Sequence, residues 1–278
     1  MTFSAGDRPR PGVVAGGRVV DLGYPDMVAF LEDGERGRQK ARQLAEASQA
    51  AAAHPLTAVR IHAPLPRPPK FILIGLNYRD HAIESGMEIP KAPTVFAKYS
   101  NAVIGPGEAI LLPAVSKEVD YEAELAFVIG RRGRNIPVER WADHVFGYTI
   151  VNDVSARDFQ RATSQWTIGK TFDTFGPMGP ELVSADEVGD PHQLRIGCQV
   201  NGRVLQDSTT AQLIFRLPEL VAYLSQAMTL EPGDIVSTGT PPGVGFARKP
   251  PIFLQDGDEV VVTVEKLGEL RNPVKAQI

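Results

Sequence analysis

A single cysteine, Cys198, in 278 residues excludes an intramolecular disulfide and a thiolate metal cluster. No block of Lys and Arg occurs and the formal net charge is −4, so the electrostatic footprint of a nucleic-acid binder is missing. No apolar run reaches the roughly 18 residues that a membrane span requires. The first ten residues are polar and carry no run of signal-peptide length. Nothing is therefore expected to span a membrane, and a cytoplasmic location is the expectation. Internal repeats and low-complexity segments are also lacking. What remains is ordinary: 43% hydrophobic and 22% charged residues describe a globular chain. Its length fits one large domain, or one with a small companion.

Valines 13–14 and 19–20 flank Gly16-Gly17 and read as a small hairpin. Residues 25–53 are helix formers, with Met27, Phe30 and Leu31 sharing a face; the alanine-rich stretch near Ala50 suggests a second helix ending before His54-Pro55. Pro55, Pro64, Pro66, Pro68 and Pro69 then crowd a segment that reads as an extended connector, because proline fixes φ and donates no backbone hydrogen bond. A boundary is placed there, between a small N-terminal part (1–69) and a main body (70–278).

In the main body, strands are expected at 70–76, 94–98, 119–129, 145–152, 194–200, 235–238 and 259–264, with a hairpin turn at Asn201-Gly202. Helical runs are few, at 78–86, 138–143 and 218–228. Without regular strand–helix alternation, the pattern predicts an α+β, mostly β fold: a mostly antiparallel sandwich or roll with peripheral helices and a small N-terminal domain.

The segment 119–129 (VDYEAELAFVI) carries the chemistry. Side chains alternate along a strand, so Glu122 and Glu124 share a face with Ala126 and Val128, opposite Tyr121, Leu125 and Phe127. Two like charges removed from water need compensation, and a divalent cation, which prefers oxygen ligands, is the simplest one. The same spacing also fits two glutamates facing solvent on a one-sided strand. Asp153, at the end of the apolar run 145–152, is either a third functional carboxylate on a rigid strand end or the N-cap of a following helix.

Six stretches in order resemble the fumarylacetoacetate hydrolase family: 75–81 (GLNYRDH), 120–125 (DYEAEL), 152–160 (NDVSARDFQ), 169–177 (GKTFDTFGP), Asn201-Gly202 with Gln206-Asp207-Ser208, and 237–245 (STGTPPGVG). The likeness runs from about Phe71 to the C-terminus. It implies a mixed β-sandwich roll, a homodimer or higher homo-oligomer, and Mg²⁺ or Mn²⁺ bound by Glu122, Glu124 and Asp153. His81 and Glu84 match a dyad on a helix that closes over the substrate, where an imidazole oriented by a carboxylate activates water. Lys170 matches a lysine that neutralises a substrate carboxylate or enolate. Arg157, Gln160 and Thr240 match substrate-binding positions. TGTPPGVG lacks the GxxxxGK[ST] pattern and is not a phosphate loop.

The activity this implies is hydrolysis of a C–C bond in an acylpyruvate-like 2,4-dioxo acid through a metal-stabilised enolate. Decarboxylation or tautomerisation of oxaloacetate, or isomerisation of hydroxymuconate-type acids, are the alternatives for the same site. The stretch 160–180 is also similar to the subgroup of diketo-deoxy-sugar acid hydrolases. The distal pocket is expected from 85–91 and 160–168, with Met87, Ile89 and Trp166.

Overall fold

The computed structural model describes residues 1–6, 8–47 and 53–277. Its centre is a seven-stranded sheet whose strands lie in the order Thr94–Ala97, Phe71–Gly75, Ile235–Ser237, Ala123–Ile129, Val145–Asn152, Gly176–Ser184 and Val103–Ile104. The middle strands bury both faces, and the alternation of side chains divides them between two cores. Leu125, Phe127, Ile129, Tyr148 and Ile150 join one hydrophobic cluster with Ile196, Val260, Val262 and Leu270 from a five-stranded sheet. That second sheet runs Arg203–Thr209, Arg195–Val200, Glu259–Val264, Gly268–Ala276 and Ile110–Leu112. Ala126, Val128 and Val151 face the other way, onto Met27, Phe30, Leu31 and Leu65 of the N-terminal part. Each fully buried aliphatic side chain contributes about 1.5–3 kcal/mol, so the strand bearing the acidic pair is anchored on both sides.

The sandwich expectation holds, and the pairing is mixed rather than simply antiparallel. Ile235–Ser237 runs parallel to Phe71–Gly75, Gly176–Ser184 parallel to Val103–Ile104, and Gly268–Ala276 parallel to Ile110–Leu112. Two long strands lay outside the sequence expectation, Gly176–Ser184 and Gly268–Ala276. Pro177, Pro180 and Pro273 lower local strand propensity there, and long-range pairing overrides it. Asn201-Gly202 forms the expected two-residue turn, both residues with positive φ (51° and 76°), between Val200 and Arg203.

Other expectations need correction. The run 119–129 is interrupted: Val119–Asp120 pairs with Ser155–Ala156, and the central strand begins only at Ala123. Residues 138–143 form a 3₁₀ helix. The proline-rich segment is not wholly an extended connector, because Leu56–Ala58 makes a 3₁₀ turn and Arg60–His62 pairs with Thr2–Ser4. The N-terminal part is a five-stranded sheet carrying helices Met27–Glu32 and Gly34–Glu46; the expected helical stretch at Ala50 lies outside the described residues. Among the described residues no helix is long and apolar enough to cross a membrane.

Close approach of Val145–Asn152 to Gly176–Ser184 depends on Gly147, where a Cβ would stand 2.0 Å from the Val183 carbonyl oxygen. Gly147→Ala is expected to cost about 1–3 kcal/mol through overpacking, read as a lower urea midpoint at unchanged m-value.

Candidate active site

The central strand and its neighbour are zipped at the end where the acidic residues lie. The Asp153 amide donates to the Glu122 carbonyl at 2.9 Å, and the Glu122 amide donates to Asn152 Oδ1 at 3.0 Å. Three carboxylates from two adjacent segments thereby converge: one oxygen each from Glu122, Glu124 and Asp153 lie within 4.8 Å of one another, all three residues buried. Asp153 caps no helix, since the next one, Arg157–Arg161, is preceded by Ala156 in the cap position.

Buried cations surround them. Lys170 donates to Glu122 Oε2 and Asp153 Oδ2, both at 2.7 Å. Arg157 reaches Glu122 Oε1 at 2.6 Å, and its other edge holds Asp120 Oδ2 through Nε at 2.9 Å and Nη2 at 2.8 Å. Lys98 lies 2.7 Å from Asp153 Oδ1 and donates to the carbonyls of Val154 and Lys170. That contact with Asp153 is an ion pair without hydrogen-bond alignment, so Oδ1 remains without a directed donor. Four buried carboxylates, Asp120 included, thus stand against three buried cations.

The charge balance falls unevenly. Burial alone would raise Glu122, but Lys170 and Arg157 outweigh it and bring its carboxyl to about 2. Among the described residues no ion pair reaches Glu124, and only the more distant charge of Lys170 pulls it down. Burial, then the charges of Asp153 and Glu122, hold it well above the usual carboxylate range, even though Ser237 Oγ and the Gly239 amide donate to its Oε2. Burial also raises Asp153, against the pull of Lys170 and Lys98, and lowers Lys98 to about 8 in spite of Asp153.

These features fit a divalent cation. Octahedral ligands about 2.1 Å from a common ion stand roughly 3–4 Å apart, so side chains with oxygens within 4.8 Å of each other reach coordination by small rotations. An all-oxygen donor set suits Mg²⁺ or Mn²⁺. The missing positive charge is next to Glu124, and the undirected oxygen is on Asp153.

Glu122 and Glu124 open into a cavity of about 320 Å³, also lined by His81, Met87, Phe96, Arg157, Gln160, Arg161, Trp166, Lys170 and Thr240. His81 and Glu84 share helix Arg79–Ser85, and His81 Nδ1 lies 3.2 Å from Glu84 Oε2. The Gly243 amide donates to both Glu84 oxygens, at 2.9 and 3.1 Å. Burial raises Glu84, but hydrogen bonds from His81 and Gly243 outweigh it and leave the carboxyl below its ordinary range. Gln206 Nε2 donates to Thr240 Oγ1 at 2.8 Å, and Gln160 Oε1 accepts from Arg157 Nη1 at 2.9 Å. Of the nine site residues expected from the sequence, His81, Glu122, Glu124, Arg157, Gln160, Lys170 and Thr240 line this cavity, while Glu84 and Asp153 lie behind it, in contact with His81 and Lys170. Met87 and Trp166 line it as expected; Ile89 is half exposed and outside the lining.

Sequence reasoning did not single out Asp120 or Lys98. Asp120 shares the parity of Glu122 and Glu124, a signal present at spacing two. It accepts from the amides of Tyr121, Gly245 and Phe246 as well as from Arg157, while the Phe246 ring stacks on the Arg157 guanidinium at 4.5 Å. Asp120 thereby ties the glycine-rich turn to the arginine beside the acidic cluster. Lys98 carries no comparable signal; a lysine ending a strand is ordinarily exposed.

The family model for the fumarylacetoacetate (FAA) hydrolase C-terminal region matches residues 70–275. The chain belongs to this enzyme family. A mitochondrial oxaloacetate tautomerase from Xenopus laevis is 46% identical, over 99% of this chain and 89% of that protein. The crystal structure of maleylpyruvate hydrolase from Sphingobium sp. SYK-6, in complex with manganese(II) and pyruvate, superposes with a TM-score of 0.83 at 33% identity and covers 100% of both chains. The 2-hydroxyhepta-2,4-diene-1,7-dioate isomerase of Mycobacterium marinum gives a TM-score of 0.72 at 40% identity, over 82% of each chain.

Two outcomes follow from the site's electrostatics. Glu124→Gln is expected to weaken Mn²⁺ binding by about 100-fold or more, since second-shell losses alone cost 10–100-fold; calorimetric titration of the metal-free protein measures it. Asp120→Asn, which leaves Arg157 buried without its full counter-charge, is expected to cost about 3 kcal/mol in urea denaturation.

Proposed function

We propose that this protein is a Mg²⁺- or Mn²⁺-dependent enzyme of small 2-oxo acids and that its reaction is keto–enol tautomerisation of oxaloacetate. The observation that carries the reading is the convergence of three buried carboxylates, two of them lining a cavity that is also lined by His81 of a His–Glu dyad. The near full-length similarity to an oxaloacetate tautomerase supports the choice of reaction.

Glu122, Glu124 and Asp153 hold the ion. The chemistry that a divalent cation supplies in such a cradle is that of a Lewis acid toward the 2-oxo and carboxylate oxygens, which favours the enolate. Lys170, fixed between Glu122 and Asp153, adds positive charge beside the same oxygens. Glu84 accepts the Nδ1 proton of His81 and so leaves Nε2 as the base. His81 then takes the C3 proton of the keto acid, and the imidazolium so formed gives that proton up to the C2 oxygen, which completes the enol and returns His81 to its neutral form; the reverse reaction retraces this path. Arg157, held by Asp120 and Glu122, orients substrate oxygens together with Gln160 and Thr240.

Hydrolysis of an acylpyruvate-like substrate is the second reading, favoured by the similarity to maleylpyruvate hydrolase together with the same dyad. There His81 would take a proton from water, the resulting hydroxide would attack the distal carbonyl, and the C–C bond would break to leave a pyruvate enolate for reprotonation. Decarboxylation needs no attacking water and so no His81 base. A homodimer or larger assembly and a cytoplasmic location belong to the same proposal, with light scattering and cell fractionation as their tests.

The Mn²⁺-loaded protein is expected to speed the decay of enol absorbance in oxaloacetate beyond the buffer rate, and EDTA to abolish the effect. Release of pyruvate from acetylpyruvate without any acceleration on oxaloacetate would decide for hydrolysis, and full activity in EDTA would remove the metal from either scheme. His81→Ala is expected to lower kcat by about 10²–10⁴-fold, with Mn²⁺ affinity within about twofold of the parent because His81 is not among the three converging carboxylates. Equal loss of both would show that His81 acts through the metal site and not as a base.

A further inference from the structure

The cavity has three lining guanidinium or ammonium groups, and two are already committed. Arg157 is 3% exposed, with Nε and Nη2 on Asp120 and Nη1 on Glu122 and Gln160. Lys170 is 2% exposed and donates to Glu122 and Asp153. Arg161 differs. Its side chain is 57% exposed, its Nε donates to the Arg157 carbonyl, and its Nη2 meets Glu118 at the rim. Its Nη1 has no partner among the described residues.

Arg161 stands four residues, just over one turn of helix Arg157–Arg161, beyond Arg157, and so about 6 Å farther along the axis than the arginine that touches Glu122. That offset is of the order of the length of a short dicarboxylic acid. The same cavity is lined by apolar Ile74, Met87, Phe96 and Trp166 and by the uncharged polar residues Ser85, Gln160 and Thr163. Trp166 is held over Gly75, where a Cβ would lie 2.2 Å from its ring, and it packs edge-on against Phe96 at 5.4 Å. Among the described residues that line the cavity, Arg161 is the cation not tied to the acidic cluster, and so the one able to receive a second carboxylate on the substrate. Glu118 holds one edge of the guanidinium and leaves the other edge available as a preset donor.

We propose that Arg161 is the binding site for a second carboxylate, so that the enzyme selects dicarboxylic 2-oxo acids over those with an apolar distal end. The inference rests on the reading above that the 2-oxo acid end sits at Glu122, Glu124 and Asp153. Arg161 is a specificity residue and takes no part in the proton transfer.

The test compares 2-oxoglutarate with 2-oxopentanoate, equal in carbon number and differing in the distal carboxylate, by calorimetric binding to the Mn²⁺-loaded protein and its Arg161→Met variant. Oxalate, which fills only the metal end, is the control, and oxaloacetate turnover is followed in parallel. The variant is expected to lose about 10–100-fold in affinity for 2-oxoglutarate, the usual loss for a hydrogen bond to a charged group. Its affinity for 2-oxopentanoate and oxalate is expected to stay within about twofold of the parent. On oxaloacetate, KM should rise far more than kcat falls, and Arg161→Lys should recover part of the loss. Equal weakening of both 2-oxo acids, or a parent that fails to discriminate between them, overturns the proposal. Discrimination in binding with no turnover of oxaloacetate would leave Arg161 in this role and overturn the tautomerase reading alone.

Discussion

The structure is organised around a charge imbalance that the protein cannot resolve with its own side chains. Four carboxylates and three cations are buried at one end of the central sheet. Each cation is spent on a particular partner: Arg157 on Asp120 and Glu122, Lys170 on Glu122 and Asp153, Lys98 on Asp153 and two carbonyls. Glu124 is left to a hydroxyl and an amide. A buried carboxylate in that position needs a proton or a cation. Binding a divalent ion supplies the charge without rearranging the fold, because the two strands that carry the ligands are held from both faces by separate hydrophobic clusters.

This arrangement also explains how one site supports several reactions among relatives. The acidic cluster sits at one end of the central sheet, whereas His81, Glu84 and Arg161 sit on the short helices Arg79–Ser85 and Arg157–Arg161 and make no contact with its carboxylates. In the proposed function, substitution at those three positions would change which proton moves, or what the cavity accepts, while Arg157 and Lys170 remain paired with the cluster. The relatives named for tautomerisation, hydrolysis and isomerisation are consistent with that division.

Much of the site was legible because local spacing carries it. Period two placed Glu122 and Glu124 on one face, and the helical offset of three placed Glu84 beside His81. What spacing could not decide was whether the glutamates face water. That depends on Lys98, Arg157 and Lys170, which arrive from elsewhere in the chain and leave no trace in the 119–129 segment itself. Lys98 is the clearest case: its burial follows from packing against the ends of Val145–Asn152 and Thr167–Lys170, not from its own neighbours. Gly176–Ser184 was missed for the converse reason. Its prolines argue locally against a strand, but Val145–Asn152 offers it partners along its length. In the N-terminal part, the register of Arg60–His62 on Thr2–Ser4 joins segments about sixty residues apart, beyond the reach of pattern reading.

One carboxylate serves two purposes at the entrance. Glu84 both orients the His81 ring and accepts the Gly243 amide, which lies in a turn where a Cβ would collide with the Leu205 carbonyl oxygen at 2.0 Å. Swinging the entrance helix outward must break that latch, and the freed carboxylate then turns to solvent and no longer fixes the imidazole. In the proposed reaction, displacing helix Arg79–Ser85 would therefore remove the carboxylate that aligns the base together with the contact that ties the helix to the turn.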